Sequence, residues 1–319
     1  MLRLIALVSV VSVAALSSAS FDLMLLGDNT TAGSQRVMRY DPVSRVALGS
    51  FGTGFLNADV TGIATDASTN RAFVLTANGR VTTFNYNTGD YMSTFTISTL
   101  YGNIAWDSTS GLLFTGNGGG SGTSPGRGYD SNGVAQVSNT GSLGTASLRN
   151  GASVYRLSWG VNSVATLVEV QQHALSGGAP TQAVPSAVAW TGANVPRAAL
   201  YSVTNQFLGL TLNAGNLEMW SIPTNSAGTN GSVSLVENFG ASTNNNIDMV
   251  AGHGPLVYVL NGNQIISYNS TVSLNLGTST LPFGSATTIG GMAIVLAPEP
   301  GGFLAFGVAA LFLARRKRS

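Results

Sequence analysis

The stretch GIATDASTNRAFVLTANGRVTTFNYNTGDYMSTFTI, Gly62 to Ile97, decides how the chain is read. It holds four strand-like pieces, GIA, RAFVLTA, RVTTFNY and YMSTFTI, each rich in β-branched and aromatic residues. Asp66-Ala67-Ser68-Thr69-Asn70 separates the first two, Asn78-Gly79 the next two, and Asn87-Thr88-Gly89-Asp90 the last two. Asn-Gly is a strong hairpin signal because both residues tolerate positive φ. The stretch predicts four short antiparallel strands in about 40 residues, one sheet unit of a repeating all-β body.

The unit recurs. NIAWDSTSGLLFTGN from Asn103 repeats the first hairpin, with Asp107 in the place of Asp66. DMVAGHGPLVYVLNGNQIISYN from Asp248 repeats it again, with Asn261-Gly262 at the tight turn. FLGLTLNAGNLEMWSIP from Phe207 matches the middle of a unit, and ASVYRLSW and SVATLVEV keep the strand character with a poorer period. GGMAIVLA (Gly290 to Ala297) reads as a first strand without partners, whereas FDLMLLGD, RVMRYDP and RVALGSF near the N-terminus read as second, third and fourth strands without a first. Joining the two ends completes one more unit and removes exposed sheet edges. The body thus resembles the β-propeller class. The resemblance implies a single propeller of about six four-stranded blades, with a β-sandwich or jelly roll as the alternative.

Both ends carry address-like segments. Arg3, an apolar stretch from Leu4 to Leu16 and the small residues Ser17-Ser18-Ala19 form a secretory signal over residues 1–19. At the other end, Ala297 is followed by Pro298-Glu299-Pro300, an uncharged run from Gly301 to Ala314, and Arg315, Arg316, Lys317 and Arg318. As a helix the run would span roughly 21 Å at 1.5 Å per residue, short of the ~30 Å bilayer core. The terminal cations favour the cytoplasmic side. Residues 297–319 resemble the PEP-CTERM sorting domain of exported bacterial proteins. That resemblance implies an exosortase as processing partner, beside the signal peptidase at the N-terminus. It also implies transient anchoring in the inner membrane by the short hydrophobic helix, cleavage near the tripeptide, and delivery to the cell surface or extracellular matrix. The exported domain is then residues 20–296.

Composition narrows the function. The chain has 14 Lys+Arg and 13 Asp+Glu, for a net charge of +1. Without Arg3 and the terminal cations the body keeps nine Arg against twelve acids, about −3, and no Lys. It offers no basic patch, so nucleic acid is excluded as a partner. There is no cysteine, which removes thiol chemistry and disulfide staples.

A search for chemistry returns no catalytic residue, no metal site and no cofactor. His173 and His253 lack ligand spacing, and GNGGGSGTSPGRG (Gly116 to Gly128) lacks the Gly-Lys-Ser/Thr ending of a phosphate loop and reads as a surface loop. Asp66 and Asp107 sit where a turn wants an Asp to cap its own backbone, and Asp248 and Glu218 form no constellation with them. Trp106, Trp159, Trp190 and Trp220 are candidates for stacking on sugars, although strand tryptophans more often serve a core. The expectation is a non-enzymatic surface or matrix protein that presents a binding or structural propeller to extracellular polysaccharide or surface proteins. The alternative is a secreted propeller hydrolase or lyase, calcium-dependent, with acids converging at a channel.

Overall fold

In the computed structural model the described residues are 22–98, 101–107, 110–117, 126–139, 144–150, 153–159, 167–174, 182–189, 198–200, 206–213, 215–223, 234–242, 249–253, 256–270, 272–284 and 288–296. They form strands and turns and contain no helix.

The strands in chain order begin with β1 (Asp22–Asp28), β2 (Gln35–Asp41) and β3 (Val46–Leu56). The quoted stretch supplies β4 (Val60–Asp66), β5 (Arg71–Thr76), β6 (Arg80–Asn85) and β7 (Tyr91–Thr96). Next come β8 (Tyr101–Asp107), β9 (Leu112–Asn117), β10 (Gly126–Tyr129) and β11 (Ala135–Asn139). The middle holds β12 (Gly144–Asn150), β13 (Ser153–Trp159), β14 (Leu167–Ala174) and β15 (Gln182–Ala189). Then follow β16 (Ala198–Leu200), β17 (Gln206–Asn213), β18 (Asn216–Pro223) and β19 (Ser234–Ala241). The last are β20 (Met249–His253), β21 (Leu256–Asn261), β22 (Gln264–Asn269), β23 (Leu274–Thr280) and β24 (Ile289–Leu296).

These strands make six separate, open, four-stranded antiparallel sheets. Five use consecutive strands. The sixth has the order β24-β1-β2-β3, so the last strand of the chain completes the sheet begun by the first three. The first strands of the sheets are neighbours in space: β4 lies against β24 and β8, β12 against β8 and β16, and β20 against β16 and β24.

Apolar cores fill the spaces between adjacent sheets. Leu25, Val37 and Phe51 meet Ile63, Val74 and Phe84 between the composite sheet and the β4–β7 sheet. Met24, Met38 and Tyr40 meet Tyr258, Leu260 and Ile265 on the composite sheet's other face. Phe73, Leu75 and Val81 meet Ile104, Leu113 and Tyr129 one sheet further on, and Leu208, Leu210 and Met219 meet Val257, Val259 and Ile266. A middle strand is therefore covered on both faces. This explains why AFVLT in β5 reads as a continuous apolar run and is buried throughout. Each such side chain contributes about 1.5–3 kcal/mol by leaving water.

The fourth strands are different. β7 has no fully buried residue, and β3 and β23 carry long exposed stretches. In all six sheets the register slips where the fourth strand pairs with the third. Such bulges twist an edge and make it a poor template for another strand.

Candidate functional site

The composite sheet fixes where the chain ends leave the body. Along β24 and β1, Asp28 is opposite Ile289 at one end and Asp22 is opposite Leu296 at the other. Opposed residues of such a pair lie about 4.5–5.5 Å apart, so the first and last strands end side by side. β24 and β4 run the same way: a Cβ on Gly290 would come within 2.0 Å of the Val60 carbonyl oxygen near their starts, and Thr65 Oγ1 donates to the Ile294 carbonyl at 3.4 Å near their ends. β2 is antiparallel to β1 and so runs with β24. Leu296, Asp41 and Asp66 therefore share one end of the body, here called the exit rim.

Residues 1–21 and 297–319 lie outside the described residues. The segments expected to act as a secretory signal and as a sorting tripeptide, Pro298-Glu299-Pro300, and the cations Arg315, Arg316, Lys317 and Arg318 fall there. Pro298 follows two residues after Leu296, at most about 7 Å of extended chain from the rim.

Six turns of the body share one design. An Asp or Asn ends the strand, its side chain accepts backbone N–H groups ahead of it, and a residue with positive φ starts the next strand. Asp66 accepts from the Ser68 N–H at 3.1 Å and the Ser68 hydroxyl at 2.6 Å, from the Thr69 hydroxyl, and from Arg71 Nη2 at 3.0 Å. Asn70 then takes φ 58°. Asp107 accepts from the Ser110 N–H at 2.7 Å and from the Ser110 hydroxyl, with Gly111 at φ 67°. Asp41, Asn85 and Asp130 do the same between third and fourth strands, followed by Arg45, Gly89 and Gly133 at positive φ. Asn269 accepts from the Val272 N–H at 3.3 Å, with Ser273 at φ 50°.

These partners set the ionisation of the acids. Burial alone would raise the Asp66 carboxyl, but donation from Ser68, Thr69 and Arg71 outweighs it and holds the pKa below the ordinary value. Asp130, held chiefly by the Val134 N–H, is lowered as well. The carboxylates at Asp66 and Asp107 are committed to turns, in keeping with the turn role read from their spacing.

Sequence reasoning missed part of this design. Four third strands end in an aromatic residue followed by Asp or Asn: Tyr40-Asp41, Phe84-Asn85, Tyr129-Asp130 and Tyr268-Asn269. All four aromatics are buried, and the register slip of each sheet falls immediately before them. The signal was present as an aromatic-Asx pair separated from the next strand by four or five residues.

Of the candidate stacking residues, Trp106 and Trp220 have described side chains, and each is engaged by its own neighbours. Trp106 packs against the core between two sheets, stacked on Phe73 with ring centroids 4.8 Å apart, while Arg71 covers both rings at 5.6 and 5.5 Å. Trp220 donates its indole N–H to Glu218 at 3.0 Å. Glu218 is buried and also accepts from Asn238 at 3.4 Å, so this acid is structural in its surroundings. Trp159 lies on β13 and His173 opposite Val154 on β14, and His253 ends β20. Trp190 and Asp248 lie outside the described residues, as do residues 118–125 of the glycine-rich segment. Among the described residues no group of three His, Asp or Glu side chains could hold a metal ion. No helix among them is long and apolar enough to cross a membrane.

No protein-family model matches the chain, and no curated protein matches it. Among solved structures it is similar to Kuenenia stuttgartiensis hydrazine synthase, with a TM-score of 0.55 and 9% identity over 74% of this chain and 70% of that one. At that identity the likeness is one of fold, and nothing of that protein's chemistry transfers with it.

Proposed function

We propose that residues 20–296 form a single six-bladed β-propeller that serves as a non-catalytic binding or structural module, exported and sorted by an exosortase to the cell surface or extracellular matrix. Support for the ring comes from the neighbour relations of the first strands, which run β24, β4, β8, β12, β16, β20 and return to β24. The shared sheet β24-β1-β2-β3 would close it. The observation that carries the functional reading is the pairing of Asp22 with Leu296. It sets the first and last described strands side by side, so a signal-peptidase site after residue 19 and a sorting motif at Pro298-Glu299-Pro300 would each lie within a few residues of the same end of the body. The rim acids that a hydrolase or lyase would need are spent on turns, which favours a binder of extracellular polysaccharide or surface protein over an enzyme.

The test is the intact mass and cell fraction of the native protein beside a Glu299→Ala, Pro300→Ala variant. The native chain is expected to lose its tail near Pro298 and reach the surface, while the variant stays in the inner membrane. If both keep the tail and remain in one membrane, the segment is an ordinary anchor and the sorting reading fails.

A further inference from the structure

Two exposed aromatic rings that the sequence did not single out lie against each other on the outer seam between two sheets. Phe55 near the end of β3 and Tyr91 at the start of β7 are stacked, with ring centroids 4.8 Å apart and planes 12° from parallel. Both stand edge-on to the buried Phe84, at 6.1 and 6.4 Å, and Phe84 packs on Phe51 at 5.3 Å. The core thus fixes the pair from within, yet Phe55 is 46% exposed and Tyr91 44%. Each ring covers one face of the other, so the exposure belongs to their outward faces and edges. Met92, next to Tyr91, is the extra residue where the β6–β7 register slips, and it is half exposed as well. The β6–β7 turn places polar groups at the margin, with Asn87, Thr88 and Asp90 exposed. That turn is held in place by the Asn85 side chain, which accepts the Asn87 and Thr88 N–H groups, and by Arg39, whose Nη1 donates to the Asn87 carbonyl at 2.5 Å. The Thr88 hydroxyl donates to Asp90 Oδ2 at 2.6 Å, which leaves the other carboxylate oxygen and the Asn87 amide facing solvent.

From this arrangement, and resting on the reading of the body as a binder of extracellular polysaccharide, we infer that the seam of Phe55, Tyr91 and Asp90 binds an uncharged, β-linked hexose chain. A pyranose ring with equatorial substituents presents a flat face of C–H groups, and a rigid aromatic face held from behind is what such a surface packs on. Its hydroxyls donate to a carboxylate and accept from an amide, so Asp90 and Asn87 beside the rings supply the few polar groups that orient a ligand on an apolar floor. Charge selects the class of sugar. Arg39, the guanidinium at the seam, is committed to the Asn87 carbonyl and its Nε is buried, whereas Asp90 has no cationic partner. An anionic glycan would meet Asp90 without compensation, and a neutral one meets an acceptor. An extended peptide fits less well, because the slip between Thr83 and Phe84 makes β7 a poor template for strand addition.

The test is calorimetric titration of the full chain in Triton X-100 with cellohexaose and, separately, with the β-1,4-linked hexamer of glucuronate, which has the same shape and a charge on every ring. Support is binding of cellohexaose that Tyr91→Ala and Phe55→Ala each weaken about tenfold, with Tyr91→Phe keeping the native affinity. Asp90→Asn, which leaves the ring stack in place, is expected to weaken it several-fold. Urea unfolding of each variant separates lost binding from lost fold, and if the alanine variants do not fold, Asp90→Asn decides: an unchanged affinity sinks the site. Cellohexaose binding that no variant alters also sinks it and leaves the polysaccharide reading standing. Equal or tighter binding of the glucuronate hexamer overturns the choice of a neutral ligand. Binding of neither overturns the inference together with the polysaccharide reading, while sorting is judged separately by processing of the tail. A dimer in sedimentation that Tyr91→Ala abolishes would assign the stack to a contact between copies, and the inference falls in that case too.

Discussion

The inner and outer strands of the same four-stranded unit obey different rules. Where β24, β1 and β4 meet, backbones approach so closely that no side chain fits: a Cβ on Gly27 would lie 1.8 Å from the Gly290 carbonyl oxygen. Asn29 clamps this junction, donating to the Val60 carbonyl at 3.0 Å and accepting from the Val60 N–H at 2.8 Å. On the outer strands, by contrast, Val46, Leu48, Leu274 and Leu276 stand half exposed beside register slips. The unit is rigid where units join and tolerant where it meets solvent. Constraint in this molecule thus tracks distance from the inner strands rather than apolar character.

That contrast can be broken by substitution. Gly290→Ala places a methyl group against backbone, which cannot yield as a side chain can, and is expected to cost about 3 kcal/mol or to prevent folding. Urea unfolding of this variant beside Gly240→Ala is decisive. Gly240 has φ 81° and open space around it, so its loss is backbone strain alone, about 1 kcal/mol. Equal losses at the two sites would refute the close-approach argument.

Asn29→Ala leaves the Val60 N–H and carbonyl without their side-chain partner, and a loss of about 2 kcal/mol is expected in the same measurement. Asp66→Asn tests the rim turns. Asp66 and Asp28 both have lowered pKa values, so their contribution is complete above the ordinary carboxylate value of 3.8 and is lost as pH falls from there through the lower folded value. The native body should lose stability in that acid window, and Asp66→Asn should flatten part of the slope while costing about 1–2 kcal/mol at neutral pH. Leu276→Ser on the outer edge should change stability by less than about 0.5 kcal/mol. A larger loss there would show that the outer strands are packed against something.

The fold was largely readable because its punctuation is local. Asn78-Gly79, Asn261-Gly262 and the Asp66 and Asp107 turns specify hairpins from a few residues each, and GGMAIVLA could be matched to FDLMLLGD because each lacked what the other supplied. The bulges were not readable. One extra residue inverts the side-chain alternation beyond it, but the outer strands are mostly exposed and have no apolar alternation to betray the shift, so Leu48 and Leu276 look like ordinary strand positions. The tryptophans were ambiguous for a related reason: the sequence places Trp106 on a strand but does not say that Phe73, from the neighbouring sheet, takes its face. The sequence offered a site only as expectations for the two ends, which lie outside the described residues. The shared end of the body depends on the register that sets Asp22 opposite Leu296, and that register no local pattern encodes.

The pairing of β24 with β1 also governs timing. A contact between the first and last strands of a body this long is the slowest kind to form, because nearly the whole chain must be ordered or looped before it is made. The first three strands cannot gain their fourth partner until residues 289–296 have been synthesised. Completion of that sheet thus waits for the last described strand, and a chain truncated anywhere before β24 is left with an unfinished first sheet.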